Sequence, residues 1–106
     1  KRNYKREHTR FNVFHDIKYV FNGKAAKCSV LNISEGGMLL KVPQVFQSGD
    51  YLELMLETHS TQARINAQVA HTNYNYIGVK YYEGDDYLSA VKRFITEIKN
   101  SANFLR

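Results

Sequence analysis

Cysteine, proline and tryptophan are nearly missing from these 106 residues: Cys28 and Pro43 stand alone, and tryptophan does not occur. A lone thiol cannot close an internal disulfide, which fits a reducing cytoplasm and leaves Cys28 to pack as a small hydrophobe. The four histidines (His8, His15, His59 and His71) include no i, i+4 pair and have no second cysteine to join them, so no metal site is expected. No apolar run approaches the ~20 residues needed to span a bilayer, and no signal-peptide core is present. The chain therefore reads as soluble and cytoplasmic. It starts at Lys1 rather than methionine, which is read as the mark of a piece of a longer protein. No nucleophile with a base at a telling spacing occurs either, so a binding module is expected and not an enzyme.

What is present points to one compact domain. With 43% hydrophobic and 13% aromatic residues, a chain of this length buries roughly 65% of its unfolded surface in a single core. No internal repeat or low-complexity segment divides it. The formal net charge is +5, and Lys1, Arg2, Lys5, Arg6 and Arg10 concentrate that charge in the first ten positions. An anionic partner near the N-terminus is the natural consequence.

Along the chain the apolar period is two. Phe11, Val13, His15, Ile17, Tyr19 and Phe21 alternate with polar residues and predict a half-buried strand. Asn22-Gly23 suits a two-residue type I′ hairpin, whose central residues both need positive φ. A second strand follows from about Lys24 to Ile33, and Met38 to Val42 forms a third, ended by Pro43. Tyr51 to Glu57 resumes the alternation. Residues 62 to 71 continue it, with Ala63, Ile65, Ala67, Val69 and His71 on one side, and Tyr76 to Tyr82 is the sixth strand. Beyond Gly84-Asp85-Asp86, which offers an N-cap, Leu88, Val91, Ile95 and Ile98 recur at helical spacing to about Asn100. The expected fold is all-β: a six-stranded antiparallel barrel, closed or split, with a C-terminal helix over an open end or side. By region this gives a basic arm over residues 1 to 10, a barrel over 11 to 82 and a helix over 86 to 100.

Two polar stretches stand out. Asn32-Ile33-Ser34-Glu35-Gly36-Gly37 lies between two strands, with short side chains that donate and accept and with glycines that let a backbone or a flat ligand come close. Arg6 and Arg10, at i and i+4, carry planar forks that fit a phosphate or the O6/N7 edge of guanine. In an extended segment they would stand about 13 Å apart, so the arm is expected to curl around its ligand. Asn32-Ile33-Ser34 also matches a glycosylation acceptor, a match read as fortuitous without secretory features.

Arginine, three residues, arginine, then Asn-x-Ser-x-x-Gly resembles the two-part signature of the PilZ domain, a family of bacterial receptors for cyclic di-GMP. Ile77-Gly78-Val79-Lys80-Tyr81 resembles the strand that closes the family's barrel, so the likeness spans most of the chain. The resemblance implies cyclic di-GMP as ligand, no cofactor, and a downstream protein or fused domain as partner, in processes such as motility or biofilm formation. It implies a ligand set of Lys5, Arg6, Arg10, Asn32, Ser34, Gly36, Gly37, Lys41 and His71. Here Lys5 stands where the family frequently has arginine, and His71 where it often has tryptophan. Two rivals remain at this point. One is a single-stranded nucleic-acid-binding barrel using the basic arm and the tyrosines, which leaves the Asn-Ser-Gly turn unexplained; the other is a PilZ-like interaction module that binds no ligand.

Overall fold

A computed structural model describes residues 10–60, 62–82 and 87–104; side chains of residues 101–104 are not described. Its elements run β1 (Phe11–Phe21), β2 (Lys24–Ile33), β3 (Gly37–Lys41), β4 (Tyr51–Glu57), β5 (Gln62–Asn73), β6 (Tyr76–Tyr81) and α1 (Tyr87–Phe104). The six strands close into a barrel in the order β1-β2-β3-β6-β5-β4, and every neighbouring pair is antiparallel. The expected fold class is therefore the observed one, and the barrel is closed.

Local chemistry explains the connections. Asn22 and Gly23 have φ of 52° and 79°, as the hairpin between β1 and β2 demands. Gly49 has φ of 99° in the turn before β4, where the Asp50 carboxylate accepts from Gln47 N at 2.9 Å. Tyr74 takes φ of 57° in the two-residue turn between β5 and β6. Pro43 comes two residues after the end of β3, and Val42 N donates to Asn75 O at 2.7 Å, tying that exit to the β5–β6 turn.

The inward residues of the six strands make one apolar core with Ile17, Tyr19, Val30, Leu40, Leu54, Ile65, Val69 and Ile77 all buried. Phe46 plugs the hairpin end of β1, packing edge-on against Tyr19 at 5.6 Å and Phe21 at 4.8 Å. Near the start of β1 the helix takes over: Val91, Phe94, Ile95 and Ile98 are buried, and the Phe94 ring meets His15 at 5.4 Å. Leu88, in the first turn of the helix, is exposed. Glu97 anchors the helix by accepting from the hydroxyls of Thr58 and Ser60. Cys28 is buried, and burial, with a smaller push from Asp16, raises its thiol pKa to about 12.

Candidate ligand-binding site

Strand register builds the site on the outer surface of β2, β3, β6 and β5. Asn32 pairs with Leu39, Leu39 with Gly78, and Gly78 with His71, so these four form one row across four strands. The next row pairs Gly37 with Lys80 and Lys80 with Gln68. The first row exists because two strands break their alternation: the register shifts between Val30 and Asn32, and again between Val69 and His71. Each bulge turns the following residue to the other face.

His71 is the clearest consequence. Strict parity places it on the inner side with Ile65 and Val69; the bulge at Ala70 instead sends it outward, where it is exposed. Its imidazole lies over Gly78, occupying the space a Cβ there would take. A flat ring is thus held against a strand that has no side chain at that point.

At the other end of the row, Arg10 Nη1 donates to Asn32 Oδ1 at 2.9 Å. The turn beyond Asn32 is held from within. The buried Ser34 hydroxyl accepts from Gly36 N at 3.1 Å and Gly37 N at 3.2 Å, and Ser34 N donates to Gly37 O at 2.8 Å. Tyr81 OH donates to Ser34 O at 3.1 Å from inside the barrel. Burial drives the Tyr81 phenol well above its ordinary pKa, Arg10 opposing and Tyr87 adding to the rise, so it stays a donor. Ser34 therefore does a different task from the one read in the sequence: its hydroxyl is committed to backbone groups and shapes the turn. Gly37 likewise serves the barrel, because a Cβ there would collide with the Val79 carbonyl oxygen across the β3–β6 ladder.

Together these residues line a depression of about 560 Å³ bounded by Arg10, Asn32, Ser34, Gly36, Gly37, Leu39, His71, Gly78 and Lys80 among others. Among the described residues no acidic side chain lines it. Six of the nine residues expected at the site thus meet around one cavity. Lys5 and Arg6 lie outside the described residues. Lys41 does not belong here: it pairs with Ser29 and Tyr76 at the far end of β3 and borders a separate groove with Asp16 and Pro43. The ladder puts it one row beyond Leu39, away from the turn. Lys80 also lines the depression and was not among the nine. Its signal was legible, since Gly78 and Lys80 share a parity on one strand.

The PilZ domain family model matches residues 1–97. The chain belongs to the PilZ domain family. The fold resembles that of several solved structures. One is the PilZ domain of YcgR from Escherichia coli, solved with c-di-GMP, at TM-score 0.76 and 11% identity over 93% of this chain and 95% of that one. Another is the Klebsiella pneumoniae MrkH–c-di-GMP complex, at TM-score 0.71 and 17% identity over 98% of this chain and 57% of that one. A third is the Bacillus subtilis inhibitor of motility MotI/DgrA, at TM-score 0.65 and 20% identity over 94% of this chain and 54% of that one. The chain thus spans little more than half of the last two. Among curated proteins no significant match is found. In this PilZ domain the structure brings Arg10 into direct contact with Asn32, at the start of the Asn32–Gly37 turn.

Proposed function

We propose that this PilZ domain is a receptor for cyclic di-GMP that binds the messenger in the cytoplasm and passes the signal to a partner protein or a fused domain. The observation that carries the reading is the juxtaposition of Arg10, Asn32 and His71 around one depression that has cationic groups and, among the described residues, no carboxylate. In this reading Arg10 grips a phosphate or the guanine O6/N7 edge with its planar fork. Asn32 keeps its amide N–H groups free for an acceptor on the base, because its oxygen already serves Arg10. The His71 ring stacks on a guanine, and Ser34, Gly36 and Gly37 hold the turn in shape. Lys5 and Arg6 join from the arm, and the arm's rearrangement around the ligand is the route to a partner.

None of these residues is required to transfer a proton or form a bond, so the role is binding and not catalysis. Calorimetric titration with cyclic di-GMP, with GMP and a single-stranded oligonucleotide as controls, tests the reading. Saturable binding of the cyclic dinucleotide alone is expected. Equal binding of the oligonucleotide, or no heat with cyclic di-GMP, refutes it.

A further inference from the structure

We infer that Lys80, a residue in neither of the two signature stretches, is a second phosphate contact of the pocket and sets its preference for a ligand with two anionic groups. The inference rests on the cyclic di-GMP reading and deepens it. Lys80 projects outward from β6, where it pairs with Gly37 at the glycine turn. It is exposed, lines the depression and makes no hydrogen bond or ion pair among the described residues. A cation with no described protein partner, in a cavity that no described carboxylate lines, favours the arrival of an anion. Arg10 sits at the Asn32 end of the row, and β6 lies two strands from β2. At a strand spacing of about 4.8 Å, the two cations flank the cavity from positions roughly 10 Å apart across the sheet. A mononucleotide has one phosphate and can satisfy one of them; a cyclic dinucleotide has two phosphodiesters and can satisfy both. Lysine suits this place, because a flexible stem with a point charge can follow a phosphate without fixing a plane.

The test is calorimetry with cyclic di-GMP on the wild-type chain and on Lys80→Gln, Lys80→Arg and Lys41→Gln. Lys41 is the other lysine projecting from β3 or β6, but it borders a different groove. Lys80→Gln is expected to weaken binding about tenfold, in the range of a lost hydrogen bond to a charged group. Lys80→Arg should recover most of that loss and Lys41→Gln should match the wild type. Thermal melts of all four should coincide, since both side chains are exposed. Unchanged affinity in Lys80→Gln overturns the inference while leaving the receptor reading intact. Equal losses in Lys80→Gln and Lys41→Gln also overturn it, by reducing the effect to net charge. A wild-type chain that binds no cyclic di-GMP overturns the receptor reading itself.

Discussion

Replacing Gly78 with alanine separates the stability of the barrel from the making of the site. The new methyl carbon would fall under 3.0 Å from Nε2, Cε1 and Cδ2 of His71 and meet no backbone atom among its nearest neighbours. The obstacle is thus the end of an exposed side chain, which can swing away. Leaving its rotamer costs roughly 0.5–1.5 kcal/mol, and exchanging glycine for alanine in a strand returns about 0.5–1 kcal/mol of backbone entropy. The two nearly cancel, so the urea midpoint should move little. Binding should not escape if the His71 ring stacks on the base as proposed, because the ring is then displaced from the pocket floor. Base–aromatic stacking is worth roughly 1–3 kcal/mol, or on the order of five- to hundredfold in affinity. The assay is paired: urea denaturation and calorimetric titration with cyclic di-GMP. A destabilisation beyond about 2 kcal/mol would mean that His71 cannot move, and unchanged affinity in a folded variant would mean that the ring takes no part in binding.

Gly37→Ala should behave oppositely, because its methyl meets the Val79 carbonyl oxygen, with Val79 C at 3.3 Å and Lys80 Cα at 3.4 Å. The ladder itself must open, so we expect a loss of about 1–3 kcal/mol in urea unfolding; a wild-type midpoint would contradict it. Ser34→Ala strands two backbone N–H groups in a buried turn and should cost about 1–3 kcal/mol, with unaltered stability as the contrary result. Cys28 gives a pH dependence. Its thiol pKa rises from 9.0 in the unfolded chain to about 12 in the fold, so the native state holds the proton more tightly. Stability is complete below about pH 9 and falls as pH rises towards 12, by at most roughly 1.4 kcal/mol per unit. Cys28→Ala should flatten that alkaline limb, and an identical limb in both proteins would assign it elsewhere.

Strand existence was legible because the apolar period of two runs through β1, β4 and β5, and the Asn22-Gly23 turn was legible because few dipeptides accept two positive φ values. The strand order was not, since period alone does not say that β3 pairs with β6 and that β1 closes on β4. The site divided along the same line. Arg10 and Asn32 could be read as a pair because each is chemically unusual in its place. His71 was put on the wrong face because a bulge costs one residue of register and leaves no mark in composition. Lys41 was chosen for its nearness in sequence to the glycine turn and Lys80 was not considered, because β6 is brought to that turn by pairing between distant segments. Ser34 was read as a ligand contact because a serine's hydroxyl looks free until its backbone neighbours are placed.

The bond from Arg10 to Asn32 makes a claim about preorganisation that affinity can decide. Arg10 stands just before β1 on an exposed segment, and the Asn32 oxygen, 2.9 Å from its Nη1, is its described hydrogen-bond partner. A long side chain held in this way reaches the ligand without first losing its rotamer freedom, a saving of roughly 0.5–1.5 kcal/mol. Arg10→Ala should lower affinity for cyclic di-GMP by roughly 2–5 kcal/mol, the loss of a charge contact covered by ligand. Asn32→Ala removes the proposed contact with the base and also releases Arg10. The two losses therefore overlap. In a double-mutant cycle the Arg10→Ala/Asn32→Ala protein should bind more tightly than the sum of the single losses predicts, by about 0.5–3 kcal/mol. Strict additivity would show that the bond is an ordinary surface contact, that Arg10 finds the ligand unaided, and that Asn32 acts on the base alone.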